Sequence, residues 1–160
     1  MEKVKIIKLP AGKMIKTQEF EDGTESFFQV MQKLWLNVVD KHEDIFPRDF
    51  FQHTKDITKC FWLYSIIGID TKEMNLNGFD LIGFNGGYYA TATAIADDDE
   101  DFTQTVQEIK DWINDIEKIE LDISPERNIM SQRPRGDDEK LANIIGYSQV
   151  EIFVPVKFVE

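Results

Sequence analysis

The 160-residue chain carries one pattern twice, and that doubling limits its fold more than any single motif does. Leu9-Pro10-Ala11-Gly12-Lys13-Met14 is answered by Phe84-Asn85-Gly86-Gly87-Tyr88-Tyr89, with Gly12 and Gly87 matched 75 residues apart. Each copy then sets a tryptophan in an apolar helical stripe, Trp35 and Trp112, 77 apart. Ile45-Phe46-Pro47-Arg48 is answered by Ile123-Ser124-Pro125-Glu126, with Pro47 and Pro125 78 apart. Slowly growing offsets are what two copies of one unit show after small insertions. A duplicated unit makes a pseudo-symmetric pair, and the groove between two halves is a common ligand site.

The element pattern repeats as well. Residues 3–9 set Val4, Ile6 and Ile7 among Lys3, Lys5 and Lys8, which predicts a strand; Pro10-Ala11-Gly12 bends it and Met14 to Thr17 continues it. Thr24 as N-cap and Glu25 in the first turn open a helix. Its apolar face is Phe27, Phe28, Met31, Leu34, Trp35, Val38 and Val39. Ile45 to Thr58 reads as irregular, Cys60 to Ile69 as the strongest strand, and Asp70 to Gly78 as the polar connection between halves. The second half runs as a strand over Phe79 to Phe84, a turn at Asn85-Gly86-Gly87, and a strand over Tyr88 to Ala96. Ala90, Ala92 and Ala94 share one face of that strand and leave room for a close helix. The run Asp97 to Asp101 precedes a helix bearing Phe102, Val106, Ile109, Ile113 and Ile116, where negative charge complements the dipole. The run lacks glycine and calcium-loop spacing, so no metal site is expected there. Arg127 to Gln132 is a short strand, Lys140 to Tyr147 a helical turn, and Val150 to Phe158 a closing strand in which Pro155 marks an edge or a bulge. Each half is thus strand, strand, helix, strand, with an extra strand segment in the second. The fold class is α+β, an antiparallel sheet with helices on one face, with repeat one at about 1–70 and repeat two at about 79–160 of a single domain.

The charge of −12, from 30 acidic and 18 basic residues, repels phosphate backbones, and no basic helix pattern is left to bind nucleic acid. The same field attracts cationic small molecules or a basic protein face. A lone cysteine, Cys60, excludes an internal disulfide. No apolar run approaches the roughly 20 residues that span a bilayer, and no signal peptide is visible, so the cytoplasm is the expected compartment and no membrane partner is expected. Catalytic patterns are weak. His42 and His53 stand eleven apart without a ligand partner, Cys60 sits in an apolar strand, and Asn85-Gly86-Gly87 lacks the Lys-Ser/Thr of a phosphate loop. No catalytic residue, metal or cofactor is assigned.

Alternation sorts the strand faces. Phe61, Leu63, Ser65 and Ile67 read as helix-packing core, with Cys60, Trp62, Tyr64 and Ile66 on the other face. Gly87, Tyr89 and Thr91 lie opposite the alanines, and Phe153 lies opposite Ile152 and Val154. Trp62, Tyr64, Tyr89 and Phe153 then line a common concave face, unless they fill a second small core. Trp112, among Ile109, Ile113 and Ile116, is core or core edge.

Taken in order, Leu9-Pro10-Ala11-Gly12, Gly86-Gly87-Tyr88-Tyr89-Ala90, Lys110-Asp111-Trp112-Ile113 and the stretch Gly146 to Val156 resemble the GyrI-like small-molecule-binding domains. These also serve as effector-binding domains of AraC- and MerR-type bacterial regulators. The resemblance covers nearly the whole chain. It implies two pseudo-symmetric β-α-β-β units with a ligand groove between them. It also implies a glutamate in mid-groove, on the short strand after the second helix, with an aromatic two residues on. The matching positions here are Asn128 and Met130, or Glu126 if the register differs. Asn128 orients a ligand by hydrogen bonds but neither neutralises a cation nor serves as a base, which favours binding over catalysis. Met130 gives an adaptable apolar wall. The expected function is a stand-alone effector-binding domain without its own DNA-binding domain, for transcription regulation or drug sequestration. Its ligand would be small, aromatic or apolar, with a cationic one allowed, held by Trp62, Tyr64, Tyr89, Asn128, Met130 and Phe153. The alternatives are a hydrolase of reactive small molecules and an acidic inhibitor of a gyrase-like enzyme. A protein partner or a homodimer remains open.

Overall fold

The alternating apolar runs become strands and the 3.6-residue stripes become helices. A computed structural model describes residues 3–21, 24–37, 49–54, 59–66, 78–133 and 138–160. In chain order the elements are β1 (Lys5–Leu9), β2 (Gly12–Lys16), α1 (Glu25–Asn37), β3 (Asp49–His53), β4 (Cys60–Ser65), β5 (Asp80–Phe84), β6 (Gly87–Ile95), α2 (Asp99–Asn114), β7 (Ile119–Leu121), β8 (Met130–Gln132), α3 (Asp138–Ile145) and β9 (Gln149–Phe158). The strand ladders described are antiparallel, and the fold is α+β as expected. No helix among the described residues is long and apolar enough to cross a membrane.

The chain divides into two compact units, Ala11–Asn85 and Met1–Pro10 with Gly86–Glu160. The divisions fall at the paired turns of the sequence repeat. β1 pairs with β6, from Lys5 opposite Thr91 to Leu9 opposite Gly87. β5 pairs with β2, from Gly12 opposite Phe84 to Lys16 opposite Asp80. The opening strand of each copy therefore joins the sheet built by the rest of the other copy.

In the unit containing residues 86–160, α2 starts at Asp98, whose side chain accepts the Asp101 N–H at 2.9 Å, with Asp99, Glu100 and Asp101 in the first turn. Cap and charge both satisfy the helix N-terminus. Asp101 Oδ2 also accepts the Ile95 N–H at 2.7 Å, tying the helix start to the end of β6. Val106, Ile109 and Ile113 of α2 pack with Ala90, Ala92, Ala94 and Ala96 and with Val150, Ile152, Val154 and Val156. The alanines hold no bulk between helix and sheet, as their alternation predicts. Trp112 packs against the margin of this core.

In the unit 11–85, Val30, Phe27 and Met31 of α1 share one core with Ile15, Phe20, Cys60, Trp62, Tyr64, Ile66 and Phe79. This reverses the assignment of the β4 faces. The Cys60, Trp62, Tyr64, Ile66 face is the one packed with the helix residues, and Leu63 lies buried on the opposite face. The error has a simple cause: both faces of β4 are apolar, so alternation separates them without saying which one meets the helix.

Three further expectations change. Phe28 is 56% exposed rather than core, because Phe27, Val30 and Met31 hold the buried arc of the helix; Phe28 stacks edge-on against Phe27. Within the stretch expected to be irregular, Asp49–His53 is a strand paired to β4. Its alternation was hidden because Gln52 is one of its inward residues. Pro155 lies neither at an edge nor at a bulge, since β9 pairs with β6 on one side and with β8 and β7 on the other. Those two short strands end at Phe153 and begin again at Val156, so the missing N–H falls in the gap between them, where the Asp122 N–H reaches the Pro155 carbonyl at 2.9 Å. β7, only three residues long, is too short for alternation to mark it in the sequence. The side chains of Leu34 and Trp35, together with Val38, Val39, His42, the Ile45-Phe46-Pro47-Arg48 stretch, residues 67–77 and residues 134–137, lie outside the described residues.

His53 ends β3 opposite Cys60, and burial lowers its pKa to about 4. The unfolded chain takes up the proton near 6.5 and the folded chain near 4, so stability is lost as pH falls through that window. Denaturant unfolding at pH 7 and 4.5 should show His53 contributing roughly 2–3 kcal/mol of that loss. In His53→Gln the pH-dependent loss should shrink by about that amount; an unchanged slope would show that His53 charges freely in the folded chain.

Candidate functional site

The face of β6 turned away from α2 carries Gly87, Tyr89, Thr91 and Thr93, and that of β9 carries Glu151, Phe153 and Pro155. The register sets Tyr89 against Pro155, Thr91 against Phe153, Thr93 against Glu151, and Met130 of β8 against Phe153. Tyr89 and Phe153 meet edge to face, with centroids 6.4 Å apart and planes at 84°. Tyr89 and Met130 are 1% exposed and Phe153 4%. Three of the six residues nominated from the sequence are thus brought together on one face.

A carboxylate shares that face. Half-buried Glu151 accepts the Thr91 hydroxyl on Oε1 at 2.7 Å and the Thr93 hydroxyl on Oε2 at 2.6 Å. The sequence already showed this position, two residues before Phe153 in the same strand. The family pattern does not mark it, because that pattern implies a glutamate on the strand after α2.

At the other end stands Arg127. It closes a tight turn in which Ser124 and Arg127 exchange backbone hydrogen bonds at 2.9 and 3.1 Å. Nη1 donates to Asp122 Oδ2 at 2.6 Å and to the Val156 carbonyl at 3.2 Å, while Nη2 donates to the Tyr88 carbonyl at 2.6 Å. The guanidinium carbon lies 4.6 Å from the Tyr89 ring centroid, a cation–π contact. Gly87 makes room for it: a Cβ there would stand 2.8 Å from Nη2. Burial pushes the Tyr89 phenol above its usual range; the charge and hydrogen bonding of Arg127 act against that shift, and Asp122 adds a smaller upward push. No local sequence signal marks Arg127, since Tyr88 and Val156 lie 39 and 29 residues away along the chain.

The other nominated residues are placed differently. Asn128 is half-buried in the segment leading to β8, and its Oδ1 accepts the Ile129 N–H at 2.7 Å. Glu126 is exposed within the Ser124–Arg127 turn. Trp62 and Tyr64 lie in the core shared with α1; the Trp62 indole donates to Asp49 Oδ2 at 3.0 Å and its ring packs on Phe51 at 5.4 Å. Among the described residues no group of three or more His, Cys, Asp or Glu could hold a metal ion. The arrangement offers an aromatic and thioether surface with a fixed anion at one end and a fixed cation at the other.

No protein-family model and no curated protein sequence matches the chain. Solved structures do. A hydrolase from Listeria innocua is similar over 97% of this chain and 92% of its own, with TM-score 0.68 and 13% identity. The EcmrR C-terminal domain is similar over 98% of both chains, with TM-score 0.64 and 13% identity. SAV2435 bound to tetraphenylphosphonium is similar over 98% of this chain and 94% of its own, with TM-score 0.54 and 16% identity. What these proteins share with the chain is the fold, and it agrees with the one that the resemblance to GyrI-like domains implies.

Gly87→Ala tests the Arg127 cradle. The residue has φ +107°, where an L side chain is strained, and its methyl group would displace the guanidinium. A loss of about 1–3 kcal/mol in denaturant unfolding is expected; a stability equal to wild type would mean the cradle is not tight.

Proposed function

We propose that the chain is a small-molecule effector-binding domain whose ligand is an aromatic cation. The ligand packs on Tyr89, Phe153 and Met130 and sets its positive centre near Glu151. The observation that carries this reading is the Glu151 carboxylate, held by two threonine hydroxyls beside a buried aromatic pair. A preset anion next to apolar surface favours a ligand that is itself both cationic and apolar. SAV2435, which shares the fold, was solved with tetraphenylphosphonium, a ligand of that kind. The acid end of the face is the accessible one, since Thr93 is exposed while Tyr89 is not. Met130, unbranched and rotatable, is the side chain best suited to yield as a ligand enters. A role in transcription, as the likeness to the EcmrR C-terminal domain suggests, would pass through another protein or domain, because the net charge of −12 disfavours direct contact with nucleic acid.

The Listeria innocua neighbour called a hydrolase keeps a second reading in view. Hydrolysis needs a group free to take a proton from water. Both Glu151 oxygens already accept a hydroxyl hydrogen bond, an arrangement better suited to a fixed counter-charge than to a base.

Calorimetric titration with tetraphenylphosphonium and with its neutral relative triphenylphosphine oxide tests the site. Glu151→Gln should weaken the cation about tenfold or more, about 1.4 kcal/mol, and leave the neutral compound within about twofold. Equal affinity of wild type and variant for the cation would sink the assignment of Glu151. Turnover of a reactive ester or epoxide by wild type, abolished in Glu151→Gln, would promote the hydrolase reading.

A further inference from the structure

We infer that Arg127 is the positioning and charge-selecting residue of this site. It holds Tyr89 in place and reserves that end of the face for a neutral aromatic group, so that a ligand's positive centre can lie only at the Glu151 end. The inference rests on the proposed function and adds an orientation to it.

The geometry carries the argument. The Arg127 guanidinium is anchored at three acceptors on three separate segments: Asp122, the Val156 carbonyl on β9 and the Tyr88 carbonyl on β6. A planar fork held at three points is a rigid body, unlike a solvated surface arginine. Its side chain is only 17% exposed. It lies on the Gly87 and Tyr89 face rather than the α2 face, because a Cβ on Gly87 would run into it. From that position it covers the Tyr89 ring with its guanidinium carbon 4.6 Å from the centroid. A ring surface that already holds one cation is a poor place for a second. Asp122 offsets part of the charge from the Nη1 side, but it is the guanidinium and not the carboxylate that stacks on the ring, with its carbon 4.6 Å from the centroid.

The opposite end has the opposite sign. Thr91 and Thr93, two and four residues beyond Tyr89 on β6, hold the Glu151 carboxylate. Four strand residues span about 13 Å. The face is therefore electrically polar along its length, positive at Tyr89 and negative at Thr93, with Phe153 between them. The ligand class it fits is a cation with a neutral aromatic end, the cation held at the accessible Glu151 end and the aromatic group directed toward Tyr89. A zwitterion of reversed polarity is disfavoured at both ends.

The test uses the whole chain and two probes, tetraphenylphosphonium and triphenylphosphine oxide. Arg127→Gln combined with Asp122→Asn removes the pair without leaving a bare carboxylate. The ratio of affinities, cation over neutral, should rise about fivefold in this double variant, and the Tyr89 phenol, identified by subtracting Tyr89→Phe, should titrate at higher pH. An unchanged ratio overturns the inference, as does a Tyr89 titration that does not move. Arg127→Lys keeps the charge but loses the planar stack and the three-point anchorage, and serves if the double variant does not fold. It should weaken both probes several-fold and keep their ratio near wild type; wild-type affinity for both, or a ratio shifted as in the double variant, overturns the inference. Failure of wild type to bind either probe overturns the proposed function and this inference with it. Binding by wild type with Glu151→Gln acting as expected, but no response to Arg127, removes this inference alone.

Discussion

The antiparallel ladder between β6 and β9 is the constraint on which the rest of the 86–160 unit depends. It runs for eight residue pairs, from Tyr88 opposite Val156 to Ile95 opposite Gln149. Because side chains alternate, the ladder cannot choose its two surfaces independently. Setting Ala90, Ala92 and Ala94 toward α2 puts Tyr89, Thr91 and Thr93 on the other side at the same stroke. On β9 the same rule sends Ile152 and Val154 to the helix and Glu151 and Phe153 to the opposite face. One face is alanine and branched aliphatics under a helix, where close approach matters. The other mixes aromatics, hydroxyls and a carboxylate, where chemistry matters. A slip of one residue would bury Glu151 under α2 and move Val154 to the opposite face, so the packing of the helix also fixes the composition of the candidate site.

The repeat enters at the turns. Pro10-Ala11 and Asn85-Gly86 are where the chain leaves one compact unit for the other, so the opening strand of each copy pairs with the second strand of its counterpart. The two halves nevertheless differ in the charged residue that follows their matched prolines. Gly87 has φ +107° and a guanidinium where its Cβ would stand, and Arg127, the residue that needs this space, follows Pro125 by two positions. In the first copy the corresponding stretch reads Pro47-Arg48-Asp49 and its carboxylate, Asp49, accepts from Trp62. The two halves share an order of elements, and the charged groups that follow the matched prolines make different contacts, Arg127 with backbone carbonyls and Asp49 with the Trp62 indole.

Legibility in the sequence followed the range of the interaction that decides each feature. Strands such as β6 and β9 and the α2 stripe were visible because period and propensity are local. Alternation likewise put Tyr89 and Phe153 on one face of the candidate site, while Met130 came from the family resemblance and the register sets it opposite Phe153. The β4 faces were misassigned because Phe61 to Ile66 is apolar on both sides, and only the packing of α1 breaks the tie. β3 was missed because buried Gln52 interrupts its apolar pattern. Glu151 is visible in the sequence only as a polar residue alternating with Ile152 and Val150 on β9. Arg127 was not legible at all: its meaning lies in carbonyls of Tyr88 and Val156, which no spacing rule connects to it.

These features together bear on whether the chain's charge of −12 explains ligand choice. A net negative field enriches cations near the surface, but it is screened within about 8–10 Å at physiological salt and does not orient what it attracts. Orientation needs fixed charges at fixed distances. Glu151 is fixed by two threonines, and Arg127 is fixed by two backbone carbonyls and an aspartate, at opposite ends of the Tyr89 and Phe153 surface. Each is a charge whose hydrogen-bonding needs are largely met before any ligand arrives, so neither must reorganise when one does. Groups held in this way are suited to recognising a charge pattern and poorly suited to exchanging protons with it. Under the proposed function, selectivity would lie in the two anchored charges, affinity in the aromatic surface between them, and only the long-range attraction of ligands in the acidic exterior.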